Sequence, residues 1–484
     1  MQQENRTPET LTENQTAIVL GGSVAGIWTA RVLADHFKHV IVIERDELPA
    51  GADHRPGVPQ GKQYHIMLRR GLQIMEQLFP GIHHELEIAG GVQFDEIKEV
   101  KTRFRGRWLD QYESGSTLLG ASRVLLESIL RRRLRAYPRV EFMDGTEVIG
   151  LCGDEANRRV TGARVRRRRG PDRGTESSLR AALVIDATGR NSRAPQWLAE
   201  LGYPAPKETV IDPYLGYASR RYRKPQRTAG DWEMMGIMAN PPEETRFGLI
   251  LPEENNTWVV LLAGANKDYP PTDEDGFEAF ARSLDRDFYR AISDAEPLSP
   301  IYGYRRTKNR WRHYENLEPW PEGFAVVGDA FSAFNPIYGQ GMTVSAMTAA
   351  ALDEQLREAR GNMTGFAARF QRQVARVTRP VWLLTTGTDL AWPGTEGGSG
   401  KSLGDRLTYW YTDLVMDAIP YDDRVRRAFL DVNHLLLPAT ALFAPDILWR
   451  VVRHALRRGE HETTTHGRET TANKQEPRQA ISGN

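Results

Sequence analysis

From residue 16 onward, short wholly apolar segments alternate with segments of helical period. The apolar run Ala17–Leu20 leads through a glycine-rich turn into a helix predicted over about 23–36. A second apolar run, Val40–Ile43, ends at Glu44. Apolar runs of this length are typical of buried strands, and a strand–helix–strand order requires a crossover between parallel strands. The chain is therefore predicted to open an α/β fold on a parallel sheet.

The buried-strand pattern returns twice, at Ala182–Ile185 and at Phe324–Val327. Between them, residues 205–305 carry alternating apolar and polar positions with many aromatic side chains, which predicts an inserted antiparallel sheet. Helices are predicted over about 122–136, where the pattern is basic and amphipathic, and over about 341–356, where small residues dominate. A strand pair is predicted over roughly 140–165. The pattern as a whole predicts a Rossmann-like domain that is discontinuous in sequence.

Composition narrows the class of protein. Among the 484 residues, 64 Lys and Arg nearly cancel 63 Asp and Glu, which argues against nucleic acid as the main partner because phosphate binding needs excess positive charge. Cys152 is the single cysteine, so no internal disulfide can form, as expected in a reducing cytoplasm. No apolar run approaches the ~18 residues of a membrane span. The histidines are scattered, and no metal site is expected.

The first chemical motif lies between the first strand and the first helix, where a dinucleotide fingerprint belongs. Gly21 permits the tight turn, Gly26 allows close packing of the helix on the sheet, and the helix N-terminus offers N–H groups to a pyrophosphate. Glu44, 18 residues after Gly26, lies where a carboxylate can accept hydrogen bonds from ribose hydroxyls. Ser23 replaces the middle glycine and is small enough to admit a phosphate. The whole motif reads Gly21-Gly22-Ser23-Val24-Ala25-Gly26.

Two further motifs follow buried strands. Asp329 in the last of them can accept a ribityl hydroxyl, and the helix start behind it would stabilise negative charge on a reduced isoalloxazine ring. Three motifs in this order indicate one flavin nucleotide rather than three unrelated turns. The second motif is Asp186-Ala187-Thr188-Gly189-Arg190, and the third is Gly328-Asp329 with Pro336 and Gly339-Gln340-Gly341-Met342.

This ordered set resembles the FAD-dependent aromatic hydroxylases related to p-hydroxybenzoate hydroxylase, over roughly residues 16–365. Within that group, Gly57–Gly61 with His65, and Trp320–Gly323, are similar to the flavoprotein epoxidases of polyether-antibiotic pathways. The resemblance implies that FAD is bound by Gly21, Gly22, Ser23, Val24, Ala25, Gly26, Glu44, Arg45, Arg123, Val148, Asp186, Gly189, Gly328, Asp329, Pro336, Gly339, Gly341 and Met342.

The roles implied for Arg123 and Val148 can be stated more specifically, and His65 is a separate candidate. Arg123 is implied to contact the FAD pyrophosphate or ribose, but it also heads a basic helix and is otherwise one of several surface arginines. The backbone of Val148 is implied to meet the adenine. His65 is the candidate catalytic residue in the loop that borders the flavin, and a structural histidine is the equal alternative.

The resemblance further implies an activity. It implies that NAD(P)H reduces the flavin, and that O2 then gives a flavin C4a-hydroperoxide which hydroxylates or epoxidises an apolar secondary-metabolite substrate, as in antibiotic biosynthesis. The second motif serves both FAD and NAD(P)H in the hydroxylases, but it reads Asp186-Ala187 here where they usually have Asp-Gly. Reduction through a separate flavin reductase therefore stays open.

Three other activities are compatible with the fold. The chain is alternatively a reductase or dehydrogenase acting on a C=C bond, or a redox-neutral cyclase in which FAD only shapes the pocket. A flavin halogenase would carry a W-x-W segment, which does not occur in this sequence. The residues around the pocket are either substrate wall or plain core; they are Trp232, Met234, Met235, Met238, Trp258, Phe331, Phe334 and Tyr338.

The predicted organisation has eight segments. They are a disordered tail (1–15), a first FAD-binding part (16–85), strands of the substrate domain (86–110), a second FAD-binding part (111–204), the substrate-binding sheet (205–305), a third FAD-binding part (306–365), a C-terminal helical region (366–459) and a disordered tail (460–484). The last helix is predicted to have Asp446 as its N-cap and to end at Gly459. Its apolar face either packs on the core or binds a membrane surface.

Overall fold

The computed structural model describes residues 15–156, 158–226, 230–398 and 403–457. The chain divides into two compact units, Met1–Ser399 and Gly400–Asn484. Apart from residue 15, the two tails expected to be disordered lie outside the described residues.

The first unit combines helices with runs of consecutive strands. Its helices are α1 (Val24–His36), α2 (Arg69–Leu78), α3 (Ile82–Ile88), α4 (Arg123–Arg135), α5 (Ala194–Glu200), α6 (Glu274–Leu284), α7 (Arg286–Ile292), α8 (Gln340–Ala359) and α9 (Phe366–Asp389). Its strands are β1 (Thr16–Leu20), β2 (His39–Ile43), β3 (Val92–Asp95), β4 (Val100–Phe104), β5 (Arg107–Trp108), β6 (Thr117–Gly120), β7 (Val140–Met143), β8 (Thr146–Asp154), β9 (Arg159–Arg167), β10 (Glu176–Arg180), β11 (Leu183–Asp186), β12 (Glu208–Ile211), β13 (Gly216–Arg223), β14 (Met234–Ile237), β15 (Arg246–Glu253), β16 (Thr257–Gly264), β17 (Tyr302–Tyr304), β18 (Asn309–Arg312), β19 (Phe324–Val326) and β20 (Ser332–Ala333).

The predicted parallel sheet forms, in the order β19-β11-β1-β2-β7. Its central strand β1 is buried at every position, which explains why the sequence there is wholly apolar. Leu20 pairs with both Ile43 and Asp186, and Asp186 pairs with Val326. The four strands therefore end at one edge, where open α/β sheets bind their ligands.

The inserted sheet has seven strands in the order β17-β13-β16-β15-β14-β4-β5. Its pairs are antiparallel except for β14 with β4, because β4 and β5 come from an earlier part of the chain. On one face, Trp258 packs with Phe277 of α6 and Phe288 of α7 in a buried cluster. On the other face, Tyr217 and Leu261 form a second cluster. The α/β fold with an inserted sheet is confirmed.

Three local expectations were incomplete. The strand pair predicted over about 140–165 is three strands: β7 joins the parallel sheet, whereas β8 and β9 form a separate hairpin extended by β10. Helix α3 was not predicted, because its seven residues are too few to show a helical period. The inserted segment also contains α6 and α7, which cover the face of the sheet that would otherwise expose Trp258.

The second unit is helical in its described part. It contains α10 (Leu403–Ala418), α11 (Asp423–Asn433) and α12, which covers residues 445–457. Pro445 is the first helical residue of α12, a position that suits proline because its missing N–H would have no partner there. The prediction that Asp446 is the N-cap is therefore wrong: Ala444 holds that position, and Asp446 pairs with Arg424 at 3.0 Å.

Helix α12 buries only part of its apolar surface. Ile447 and Val451 are buried within the structure, whereas Trp449 and Leu456 are 58% and 67% exposed. The predicted end at Gly459 lies outside the described residues. In the described part of the chain, no helix combines the length and the apolar character that crossing a membrane would demand.

Candidate flavin site

A cavity of about 610 Å³ lies in the first unit where the strands of the parallel sheet end. On one side its wall contains Gly21 and Glu44, which directly follow β1 and β2, and Ala187, which follows β11. On the other side it contains Tyr217 and Leu261 of the inserted sheet. One cavity thus joins the ligand-binding edge of a Rossmann-like sheet to an apolar wall.

The first glycine motif shapes the turn at this edge. Gly21 has a φ of +102°, and a Cβ there would lie 2.6 Å from the carbonyl oxygen of Ala187. A Cβ at Gly26 would lie 1.8 Å from the carbonyl oxygen of Gly21. Only glycine fits at either position. Ser23 is the N-cap of α1, but its side chain does not cap the helix, and the first turn holds no acidic residue. The positive end of α1 is left for a ligand.

The side chain of Ser23 turns to a buried polar network instead. Its hydroxyl donates to Glu127 Oε2 at 3.0 Å and accepts from Arg123 Nη2 at 3.0 Å. Arg123 also pairs with Glu127 at 3.2 Å, and Arg55 pairs with the other oxygen of Glu127 at 2.7 Å. Arg123 is thus a buried residue that lines the cavity, not one of the surface arginines of its helix.

Arg55 links this network to Glu44, the residue predicted to accept hydrogen bonds from a ribose. It pairs with Glu44 at 3.0 Å and with Asp46 at 3.3 Å, while Glu44 Oε2 accepts the N–H of Gly22 at 2.9 Å. Burial alone would lower the pKa of Arg55, but the carboxylates of Glu127 and Glu44 raise it above its ordinary value. Sequence reasoning missed Arg55. The available signal was indirect: buried acids at strand ends require a cation.

Part of the second motif is buried behind the cavity, and the rest of it lines the cavity. Asp186 is fully buried and does not line the cavity. Its carboxylate accepts from the N–H of Thr188 at 2.8 Å and from the hydroxyl of Ser192 at 2.5 Å, and burial raises its pKa. Asp186 therefore holds the turn in shape, while the turn itself, with Gly189 and Arg190, faces the cavity.

The third motif brings a carboxylate to the cavity wall. Among the described residues, nothing hydrogen-bonds the carboxylate of Asp329, whose pKa is raised by burial. Behind it, Gly339 caps α8 with a φ of +66°, and a Cβ there would lie 2.3 Å from Ile66 Cγ2. Helix α8 has no side-chain cap and no acid in its first turn. Its positive end therefore also faces the cavity, beside Gly341.

Most of the residues predicted to form the site meet in this one cavity. Gly22, Gly26, Asp186 and Gly328 do not line it but build the turns behind it. The residues that do line it are Gly21, Ser23, Val24, Ala25, Glu44, Arg45, His65, Arg123, Val148, Gly189, Asp329, Pro336, Gly339, Gly341 and Met342.

His65 lies at the cavity as a neutral imidazole. Its Nδ1 is 3.0 Å from the carbonyl oxygen of Gln63, and since a carbonyl only accepts, Nδ1 carries the proton. Burial and the charge of Arg123 lower the pKa of His65 to about 3. Its Nε2 is then an acceptor at neutral pH, and the ring cannot serve there as a general acid.

The apolar part of the wall comes from both the inserted sheet and the third motif. Tyr217 and Tyr304 stack there with their ring centroids 5.2 Å apart. Apolar and aromatic residues of this part of the wall include Tyr64, Ile66, Tyr217, Met234, Leu249, Leu251, Leu261, Tyr304, Phe334 and Ile337.

The sequence left eight residues as either substrate wall or core. Of these eight, only Met234 and Phe334 line the cavity. Trp232 and Trp258 stack at 5.1 Å in the cluster on the opposite face of the sheet, with Met235. The remaining three lie elsewhere: Phe331 packs on Trp311, Tyr338 bonds Asp389, and Met238 is 37% exposed.

The donor set of the cavity fits FAD and no metal ion. Two uncapped helix starts suit a pyrophosphate and a reduced ring, and the unbonded carboxylate of Asp329 suits a hydroxyl donor. Within the ranges that the structure describes, no group of three or more His, Cys, Asp or Glu residues could hold a metal.

Comparison with known proteins agrees with this geometry. Residues 14–363 match the family described as FAD binding domain. The chain belongs to this family of flavin-dependent oxidoreductases. Protein Rv3254 of Mycobacterium tuberculosis (strain ATCC 25618 / H37Rv) is 33% identical over 470 residues, which are 91% of this chain and 94% of that protein. The expected kinship with p-hydroxybenzoate hydroxylase-like enzymes is confirmed at the level of the family.

Solved structures share the fold of this family member. PqsL of Pseudomonas aeruginosa, described as a probable FAD-dependent monooxygenase, has a TM-score of 0.59 at 16% identity and covers 78% of this chain and 96% of its own. A flavoprotein/dehydrogenase from Cytophaga hutchinsonii has a TM-score of 0.61 at 13% identity, over 91% and 96%. The flavin-dependent brominase Bmp2 (triple mutant) has a TM-score of 0.58 at 14% identity, over 92% and 99%.

Proposed function

We propose that this protein is an FAD-dependent monooxygenase that transfers one oxygen atom from O2 to an apolar organic substrate bound beside the inserted sheet. The observation that carries the proposal is that one cavity joins the strand ends of the parallel sheet to the wall around Tyr217 and Leu261. PqsL, described as a probable monooxygenase, supports it through the shared fold. The similarity of Gly57–Gly61 and Trp320–Gly323 to polyether-pathway epoxidases favours an alkene in a lipophilic secondary metabolite.

In this proposal, FAD occupies the cavity with its phosphates at the start of α1. Glu44 accepts hydrogen bonds from the ribose, Asp329 accepts one from the ribityl chain, and the start of α8 faces the ring. Arg123 is held near the phosphates by Ser23 and Glu127. Bound FAD would supply the redox chemistry, taking two electrons from NAD(P)H, directly or through a flavin reductase, and passing them to O2.

The chain's own residues position the substrate and exclude water from the reacting centre. The overall reaction consumes NAD(P)H, a proton, O2 and the substrate, and it yields NAD(P)⁺, water and the oxygenated product. Water at the reacting centre would divert O2 to hydrogen peroxide, so the apolar wall has a chemical purpose. His65 offers an acceptor and no proton at neutral pH. The single cysteine, Cys152, supports a reducing compartment such as the cytoplasm.

The purified holoprotein tests the proposal. We expect bound flavin by its visible absorbance, and consumption of NADPH and O2 that a lipophilic polyene or polycyclic probe stimulates, with little hydrogen peroxide. NADPH consumption in the absence of O2, with reduction of the probe, would instead identify a reductase. A product formed with neither NADPH nor O2 would identify a cyclase. A preparation that binds no FAD and stays active overturns the proposal.

A further inference from the structure

Helix α9 ends on a buried acid that none of the three motifs includes. Asp389, its last residue, is fully buried. Its Oδ1 accepts from the Tyr338 hydroxyl at 2.6 Å, and its Oδ2 accepts from Asn309 Nδ2 at 2.5 Å. Asn335 Nδ2 lies 3.2 and 3.3 Å from the two oxygens. One carboxylate thus joins α9 to β18 and to both ends of the segment Asn335–Tyr338.

This cluster requires a carboxylate and not an amide. Every partner of Asp389 is a donor, and among the described residues no cation pairs with it. Burial raises the pKa of Asp389 to about 6, with hydrogen bonds from Tyr338 opposing the rise and the charge of Asp212 adding to it. Asp212 is itself paired with Lys308 at 2.9 Å. Since no cation among the described residues balances the charge, these hydrogen bonds stabilise it, and they hold the donating side chains in place.

The segment that Asp389 holds is part of the cavity wall. Pro336 and Ile337 line the cavity, and Gly339 and Gly341 follow them at the start of α8. Helix α9 contacts this region a second time, because the hydroxyl of Thr385 bonds the side chain of Gln340. The two contacts are one helical turn apart on α9, and they fix the wall before and after Gly339.

We propose that Asp389 is a positioning residue that sets the geometry of Asn335–Tyr338 and, through it, of the cavity wall facing the flavin ring. The part that concerns the flavin rests on the proposed FAD site. The part that concerns the segment does not, because it follows from contacts within the protein. The two parts can therefore fail separately.

The test compares Asp389→Asn with two other variants. The amide offers one acceptor where four donor contacts converge, so part of the cluster must break. Tyr338→Phe removes one donor and keeps the carboxylate, which guards against simple misfolding of the first variant. Asp353→Asn on α8 is the matched control, because its partners His36 and Arg357 do not line the cavity.

Two readouts separate the parts. In the FAD-free protein, we expect hydrogen exchange of the backbone amides of Asn335 and residues 337–340 to rise about tenfold in Asp389→Asn, the effect of one lost hydrogen bond to a charged group, and less in Tyr338→Phe. In the holoprotein, we expect both variants to shift the visible circular dichroism and the midpoint potential of the flavin, with the control unchanged. Wild-type exchange at these backbone amides in both variants overturns the inference. If hydrogen exchange rises but the circular dichroism and midpoint potential of the flavin do not change, the result contradicts the proposed placement of the flavin ring. The structural role of Asp389 within the protein then stands.

Discussion

The hydroxyl of Ser23 accepts a hydrogen bond from Arg123 at 3.0 Å across 100 residues of sequence, and it donates to Glu127 on the same helix. The residue that replaces the middle glycine of the fingerprint therefore connects the start of α1 to the start of α4. A glycine could not make this connection. The departure from the usual motif has a structural reason, which is to hold Arg123 at the cavity.

Removing the Ser23 hydroxyl should weaken FAD binding without disturbing the turn. Ser23→Ala keeps a small side chain but loses two hydrogen bonds, so we expect a loss of about 1–2 kcal/mol in the free energy of unfolding and about tenfold weaker FAD binding. Ser128→Ala on α4 is the control, since that hydroxyl donates to the carbonyl oxygen of Leu125 in its own helix. Urea unfolding and quenching of FAD fluorescence measure the two effects. Equal FAD affinity in both variants would contradict the role given to Ser23.

Glu127 should control how the fold responds to acid. Burial opposes its ionisation, but Arg123 and Arg55 lower the pKa of Glu127 below its ordinary value. A carboxyl group whose pKa is lower in the folded protein than in the unfolded chain, where it is about 4.3, stabilises the fold above that pH. This stabilisation is lost as the pH falls through the pKa of the folded protein. Glu127→Gln leaves two buried guanidinium groups short of charge, so we expect a loss of about 3–5 kcal/mol at pH 7. The difference from wild type in unfolding free energy should shrink below pH 4.

The parts of the fold that the sequence predicts are those that local patterns specify. The unit from β1 through α1 to β2 follows from apolar runs and glycine positions, and Asp329 follows from its place after a buried strand. Arg55 and Asp389 were out of reach for one physical reason. Each acts through partners far away in sequence, Glu127 at 72 residues from Arg55 and Asn309 at 80 residues from Asp389. Neither lies in a local pattern that distinguishes it from a surface charge.

A pair of glycines separates folding from cofactor binding. Gly26→Ala places a methyl group 1.8 Å from the carbonyl oxygen of Gly21, so backbone must move, and we expect a loss of about 3 kcal/mol or more together with loss of FAD. At Gly341 the nearest protein atom to an added Cβ is Asp329 Oδ1 at 3.8 Å. Gly341→Ala should keep wild-type stability and weaken FAD binding about tenfold if the ring lies at the start of α8. Unchanged FAD affinity in Gly341→Ala would argue for a different placement.

Two adjacent methionines test which face of the inserted sheet meets the substrate. Met234 lines the cavity, whereas Met235 is 2% exposed in the cluster behind the sheet. Met235→Ala should cost about 2–5 kcal/mol in unfolding free energy, because it opens a hole in a packed core. Met234→Ala, at a partly buried position, should cost less in unfolding free energy and raise the hydrogen peroxide released per NADPH, because the wall admits water. The reverse assignment of these effects would show that the cavity is not the reaction chamber.

We expect that His65 does not titrate between pH 5 and 8. This distinguishes a structural histidine from a catalytic one that exchanges a proton. With its pKa lowered to about 3, the ring is neutral throughout that range in the folded protein, whereas an unfolded histidine gains a proton near 6.5. The group therefore contributes stability above pH 6.5 that is progressively lost as pH falls toward 3. In His65→Asn the amide can replace the Nδ1 donor to Gln63, and it does not titrate. As pH falls, we therefore expect the unfolding free energy of wild type to decrease more than that of the variant. Flavin reduction should show the same pH profile in both proteins. An inflection near pH 6.5 that disappears in His65→Asn would mean that the histidine carries a proton during catalysis after all.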